Sequence, residues 1–176
     1  MRGVVRTSYT DENDKITRYE VNKIGETVRE TCSDGGVTLY KWNMEYAVPV
    51  RIVFSDDSYK SFGYDSSGNL IEIRNPNGAK IIRRYNEYGE KVSEAQNDAP
   101  TLYYFYSTHG NLIRIETDDG QVVATYNNDH RGNVLKSVFW DGTQKEYRYD
   151  SLGRIIYKKE GDAKVTYSYD ALGVQL

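Results

Sequence analysis

The sequence contains little of what usually holds a globular protein together. Hydrophobic residues make up 38% of its 176 residues, below the ~45–50% that is typical of globular chains. A single cysteine, Cys32 on a predicted strand, excludes an intrachain disulfide framework and a Cys-based metal site. No apolar run approaches the ~18 residues of a membrane-spanning helix, and the first residues lack the hydrophobic segment of a secretory signal. The net charge of −3 gives no electrostatic reason to expect nucleic acid or an anionic membrane as a partner.

What the sequence has instead is tyrosine, with 17 residues, and a repeating phrase built around it. Tyrosine allows a thin core, because its ring can be buried while its hydroxyl stays hydrated. Aromatic residues at alternate positions are followed by Asp-x-x-Gly and then by apolar residues, at spacings of 20 to 22 residues. No apolar stripe of helical period separates these phrases. The turn glycine defines eight copies, with Tyr46 in the glycine slot of one: Gly25, Tyr46, Gly68, Gly89, Gly110, Gly132, Gly153 and Gly173.

Each position within the copies has a distinct residue type. Three residues before the glycine, every copy has Asp, Asn or Ser, whose side chain can accept hydrogen bonds from a turn. The positions four and six before it are mostly aromatic, and the position between them is mostly polar, which predicts a strand with one packed face. Asp-x-x-Gly predicts a type I turn that the glycine closes with a β-bulge. A second turn follows about nine residues later, as at 33–36 and 75–78.

The sequence therefore predicts an all-β fold of up-and-down antiparallel β-hairpin repeats. About eight copies of a ~21-residue period would form a long twisted or spiralling β-sheet strip. Residues 1–16 are predicted to form an N-terminal strand or worn hairpin, and residues 17–176 a single repeat domain. A β-propeller of four blades with two repeats each is the alternative, although the 42-residue super-period that it requires is absent.

Residues 147–155, which read Tyr-x-Tyr-Asp-x-x-Gly-x-Ile, resemble the YD repeats, also called RHS repeats. Residues 167–173 and 62–70 match this motif well, and the resemblance covers about residues 17–176. It implies a spiralling β-shell that, in bacterial polymorphic toxins, encloses a C-terminal toxin domain. It also implies that the chain is a segment of a larger repeat protein at a secreted or cell-surface location. The self-cleavage region of that family, with its catalytic aspartates, has no counterpart in these residues.

Two functions remain open at this point. The first is a non-catalytic structural module, a sector of such a shell, with no catalytic residue, cofactor or metal. The second is a surface carbohydrate-binding module, because exposed aromatic rings can stack on sugars and choline- or glucan-binding repeats have a similar length. Its candidate ligand-binding residues are Trp42, Phe105 and Trp140.

Few polar residues suggest any chemistry. His109 and His130 lie in neighbouring repeats, and Ser107 lies near Asp118 and Asp119 in sequence, but all occupy predicted turns and are interpreted as ordinary turn residues. The partners expected are a second copy through exposed sheet edges or the aromatic face, a carbohydrate, or a toxin cargo in a longer protein. Neither nucleic acid nor a membrane span is expected.

Overall fold

The computed structural model describes residues 5–170 and 172–175, so the outermost residues of the predicted segments 1–16 and 17–176 lie outside the described residues. The described part contains sixteen β-strands and no helix, and hence no helix long and apolar enough to cross a membrane. The chain divides into two compact units, the first ending at Arg83 and the second beginning at Arg84. The predicted boundary between residues 16 and 17 remains a prediction.

In the first unit, neighbouring strands pair antiparallel in sequence order. Because more than four strands form one continuous ladder, the propeller alternative is wrong and the up-and-down hairpin prediction is confirmed. The strands are β1 (Val5–Thr10), β2 (Ile16–Val21), β3 (Thr27–Thr31), β4 (Val37–Asn43), β5 (Val48–Val53), β6 (Tyr59–Tyr64), β7 (Leu70–Arg74) and β8 (Lys80–Tyr85), which continues into the second unit.

The second unit repeats this arrangement with antiparallel pairs from β9–β10 to β15–β16. An isolated bridge between Tyr169 and Gln175 follows the last strand. The strands are β9 (Lys91–Gln96), β10 (Leu102–Tyr106), β11 (Leu112–Thr117), β12 (Val122–Asn128), β13 (Val134–Phe139), β14 (Gln144–Tyr149), β15 (Ile155–Glu160) and β16 (Ala163–Thr166).

The turns that begin at the Asp, Asn or Ser three residues before the turn glycine, here called Tyr-Asp turns, have the predicted hydrogen bonds. In the turn at Asp150, the Gly153 N–H donates to the Asp150 carbonyl and the Asp150 N–H donates to the Arg154 carbonyl, at 3.1 and 3.0 Å. The Asp150 carboxylate accepts the N–H groups of Leu152 and Arg154, both at 2.9 Å. One side chain therefore satisfies two donors that the turn would otherwise leave free.

The second turns use the same backbone bonds with a different cap. Here the residue at the third turn position, such as Asp141, accepts the N–H of the residue two positions on, Thr143, at 2.9 Å. The two turns of a repeat are thus distinguished by which residue supplies the acceptor. The first hairpin is capped as in a Tyr-Asp turn, because Asp11 at the first turn position accepts the Asn13 and Lys15 N–H groups.

The degenerate copy near residue 46 is also arranged differently from the prediction. Ala47, not Tyr46, takes the left-handed conformation there, with φ of 52°. Trp42 pairs with Pro49, seven positions on, whereas Tyr64 pairs with Leu70, six positions on. The chain between the paired residues is therefore one residue longer, and the residue that closes the turn is displaced by one position.

A β-bulge follows the Tyr-Asp turn in six repeats. The register shifts so that one residue of the strand after the turn has no partner on the strand before it. This is the third residue of β5 and the second residue of the strand in the other five repeats. Such a bulge increases the local twist. The extra residue is aliphatic each time: Val28, Val50, Ile71, Ile113, Leu135 and Ile156.

The core is thin. Among the described residues only Ala124, Ser93 and Ser137 are buried, and no large side chain is completely enclosed. The aromatic side chains at the two repeating positions are half-buried on the sheet, and they are not enclosed as in a two-layer core. Burial of apolar area is therefore modest for each repeat, and other interactions must help to join the repeats.

In the second unit, successive Tyr-Asp turns also contact each other. The residue that follows a turn glycine reaches toward the glycine of the next turn. A Cβ atom added to Gly132 would lie 2.7 Å from Asn111 Oδ1, and one added to Gly110 would lie 3.0 Å from Glu90 Oε1. Glycine is needed at Gly132 both for its φ of +86° and for the space that Asn111 occupies.

Replacing Gly132 by Ala should therefore destabilise the protein more than replacing Gly142, which has φ of +82° and open space around it. We expect Gly142→Ala to cost about 1 kcal/mol for the left-handed backbone, and Gly132→Ala a further ~0.5–1 kcal/mol for displacing Asn111. Urea unfolding measures both values. In an Asn111→Ala background the difference should vanish, and a difference that persists would show that turn contact is not its cause.

Candidate functional site

The most regular feature of the structure is a hydrogen bond between consecutive repeats, found where the strands of six junctions stop pairing. Between β13 and β14, backbone pairing ends at Lys136 and Glu146. Three residues beyond Glu146, the Tyr149 hydroxyl donates to the Val134 carbonyl at 2.9 Å. The side chain therefore continues the strand pairing where the backbone no longer can. We call this position, four residues before the turn glycine, the bridging position.

The same offset occurs at six junctions between repeats. In each, the donor lies three residues beyond the last backbone pair, and the acceptor carbonyl two residues before it. The bonds measure 2.7 to 3.0 Å: Trp42 to Thr27 and Tyr64 to Pro49 in the first unit; Tyr106 to Lys91, Asn128 to Leu112, Tyr149 to Val134 and Tyr169 to Ile155 in the second.

The acceptor residues connect the bridging positions into a line across the sheet. Val134 pairs through its backbone with Asn128, the bridging residue of its own repeat, and accepts the hydroxyl of Tyr149 from the next repeat. Ile155 in turn pairs with Tyr149 and accepts the Tyr169 hydroxyl. In this part of the second unit, each repeat is thereby joined to the one before it.

The titration behaviour of these groups suits their roles. Burial raises the pKa of the Tyr64, Tyr106 and Tyr149 hydroxyls, so they remain protonated donors. Hydrogen bonds from the Asn133 amide hold the pKa of Asp129 below its usual range, and the Arg154 backbone does the same for Asp150. The capping carboxylates therefore stay ionised acceptors near neutral pH.

Sequence reasoning missed this role of the bridging position. Asn128 is not aromatic, unlike most residues at this position, yet its amide Nδ2 donates to the Leu112 carbonyl as the tyrosines do. Trp42 donates through its indole Nε1 at 2.7 Å. The shared property is an N–H or O–H donor on a side chain that is long enough to reach the carbonyl. A donor at this position in most copies was the feature of the sequence that could have revealed the role. Val21, in the first copy, cannot donate.

The three predicted ligand-binding residues lie in different elements, one in the first unit and two in the second. The half-buried Trp42 is in β4 of the first unit and is used in a junction. Phe105 lies half-buried in β10 with the Arg114 guanidinium 4.5 Å from its ring centre. Trp140 is 70% exposed in the turn after β13, so two strands separate it from Phe105. Their binding of a ligand remains a prediction, and Trp140 alone presents an open ring.

The two histidines do share a surface feature. His109 and His130 line a shallow groove of about 350 Å³ on the second unit, together with Ser107, Asn128 and Asp129. The last three already serve as turn caps or as a bridging residue. In the described part of the chain, no group of three or more His, Cys, Asp or Glu could hold a metal ion.

The other polar residues that the sequence singled out lie apart. Ser107 precedes β11 whereas Asp118 and Asp119 follow it, so a strand of six residues, about 20 Å, separates them. Cys32 is not within a strand but begins the turn after β3, where its N–H donates to the Gly36 carbonyl. Nearby, burial and the Glu30 carboxylate raise the pKa of Tyr40 to about 12.

Replacing Tyr149 by Phe should destabilise the protein by about 1 kcal/mol, because the Val134 carbonyl loses its donor while ring packing is retained. Tyr147→Phe is the matched control, since Tyr147 is half-buried two residues away and its hydroxyl makes no hydrogen bond among the described residues. We expect the control to change the free energy of unfolding by less than about 0.3 kcal/mol. Equal losses in urea unfolding would contradict the bridging role.

The chain has relatives among much longer bacterial proteins, although no family model matches it. It is 26% identical over 141 residues to "Double-stranded DNA deaminase toxin A" of Burkholderia cenocepacia, covering 79% of this chain and 10% of that protein. It is 28% identical over 171 residues to "tRNA nuclease WapA" of Bacillus subtilis, covering 82% and 7%. For "Probable deoxyribonuclease RhsB" of Dickeya dadantii the identity is 23% over 150 residues, covering 84% and 10%. The chain thus spans about a tenth or less of each relative.

Solved structures share its fold. The crystal structure of TcdB2-TccC3 without its hypervariable C-terminal region matches with a TM-score of 0.65 and 13% identity, over 92% of this chain and 10% of that one. A second structure of TcdB2-TccC3 matches with a TM-score of 0.64 over 91% and 10%. The period, the Tyr-Asp turn chemistry and these relatives agree: the chain is built of YD repeats, also called RHS repeats.

Proposed function

We propose that the chain is a non-catalytic structural element, a stretch of β-wall in a larger YD-repeat protein of the toxin type. The observation that carries this proposal is the junction hydrogen bond, repeated at one offset in six places. A geometry that recurs in six repeats serves the lattice, whereas a catalytic site needs one place that differs from the others.

The use of the polar groups supports the same proposal. The carboxylates that could take part in catalysis, such as those of Asp65, Asp129 and Asp150, accept hydrogen bonds from turn N–H groups. The deaminase and nuclease activities in the relatives' names would then belong to parts of those proteins outside the shared tenth. In such a protein the wall would face a toxin cargo at a secreted or cell-surface location, and its open strand edges could also pair with a second copy.

Carbohydrate binding is a second candidate function, favoured by one observation. Trp140 is 70% exposed at a turn, which is unusual for so large an apolar ring. An exposed indole is a suitable platform for a sugar ring. Phe105 and Trp42 support this candidate less, because one is covered by Arg114 and the other donates to Thr27.

A single set of preparations tests both functions. The purified chain should leave double-stranded DNA and tRNA unchanged, and a glycan screen should give the same result for the wild type and for Trp140→Ala. Tyr88→Ala is the matched control, because Tyr88 is also a turn aromatic and is 78% exposed.

Two outcomes would contradict the structural proposal. Deamination or cleavage that co-purifies with the chain and is lost in a His109→Ala/His130→Ala variant would make it an enzyme. A glycan bound by the wild type and by Tyr88→Ala, but lost in Trp140→Ala, would make it a carbohydrate-binding module.

A further inference from the structure

Positive charge is concentrated in one straight row across the first unit. Direct cross-strand pairs connect Lys41 to Arg51, Arg51 to Ser61, Ser61 to Arg74 and Arg74 to Lys80. Residues paired in this way point to the same face of a sheet. The row therefore crosses the five strands β4 to β8 at one level and contains four cations and one hydroxyl.

The row contrasts with the charge of the rest of the chain. The whole chain carries −3, so the residues outside the row carry −7. The spacing between strands is ~4.8 Å, which makes the row about 19 Å long. Lys41 and Arg74 are exposed, and the other three members are half-buried.

One end of the row is not neutralised by the protein. Lys41 and Arg51 lie directly opposite each other, and like charges in this position destabilise a sheet. Among the described residues neither has a carboxylate within ion-pair distance. The Arg51 guanidinium stacks 3.8 Å above the Tyr59 ring, and its Nε is buried with no acceptor in the described structure.

The other end shows how the fold treats a similar pair when an acid is available. Arg74 and Lys80 are also direct cross-strand neighbours, but Glu72 forms an ion pair with both of them. The repulsion is therefore relieved at one end of the row and retained at the other. A carboxylate that is not part of the first unit would complete the pattern at Lys41 and Arg51.

The surroundings favour a narrow anionic partner. Carboxylates of the turns stand at both ends of β6, at Asp56 and Asp65, and hydrogen bonds from Ser58 and Asn69 hold their pKa values low, so both are ionised. A nucleic acid duplex would bring its phosphates close to these acids, whereas one extended peptide can lie between them. Alternate side chains of such a peptide face one side, and about six residues cover ~20 Å.

We propose that the row from Lys41 to Lys80 is a docking surface for an extended acidic segment of a polypeptide. Arginine binds carboxylates in a bidentate manner, and Ser61 supplies a hydroxyl donor in the middle of the row. This interaction adds a partner to the chain and does not depend on its proposed role as a wall.

A labelled oligoglutamate peptide tests the proposal by fluorescence anisotropy against the full chain at low salt. We expect the double variant Lys41→Gln/Arg51→Gln to weaken binding about tenfold, and added salt to weaken wild-type binding. The control Lys15→Gln/Lys60→Gln removes the same charge in the same unit, from a turn and from a residue paired with Ile52 outside the row. It should weaken binding less than about twofold.

A second readout separates docking from a general charge effect. Lys41→Glu supplies the missing acid within the protein, so it should raise the melting temperature by about 1–2 °C while weakening peptide binding. No peptide binding at low salt, equal weakening by both double variants, or tighter binding of single-stranded DNA than of the peptide would each overturn the proposal.

Discussion

The structure depends on one polar interaction, the hydrogen bond from the bridging side chain to a carbonyl at the start of the preceding return strand. Backbone pairing stops two residues short of that carbonyl, at Lys136 in the case of Val134. Without a donor, the strands would separate at this end and leave the carbonyl free. Few side chains are buried in the described part, so burial contributes little to the coupling of one repeat to the next. In repeat proteins such nearest-neighbour terms decide whether the array folds as a unit.

The turns supply the second component of this coupling. Asp150 caps its own turn, Arg154 ion pairs with Asp150, and a Cβ atom at Gly173 would lie 3.7 Å from Arg154. The Tyr-Asp-x-x-Gly phrase thus acts on both sides: its tyrosine joins the previous repeat, and the residue after its glycine extends toward the next turn. This explains why the phrase is retained while the second turns vary in length and sequence. The row from Lys41 to Lys80 is not part of this repeating pattern. The repulsion between Lys41 and Arg51, which no acid of the row compensates, is a local feature of the first unit.

The fold could be predicted from the sequence because its determinants are local. Alternating aromatics, Asp or Asn caps and turn glycines each act within a few residues, and they define the strands, the turns and their order. The role of the bridging position was not predictable in the same way, since Tyr149 and Val134 come together only through strand register. Asn128 appeared irregular because residues were compared by shape and not by their donors. Ala47 shows the same limit, since a one-residue change in loop length altered which residue closes the turn.

Site-resolved hydrogen exchange tests the central claim most directly, with Asn128→Val, which places at this position the residue found in the first copy, Val21. If the side chain joins the repeats, amides of β11 and β12 near Leu112 should exchange about fivefold faster, and amides of β14 and β15 should be unchanged. Asn127→Val, a substitution at the neighbouring residue on the other face, should leave both regions unchanged. Faster exchange throughout the second unit, or none near Leu112, would contradict a coupling carried by this bond.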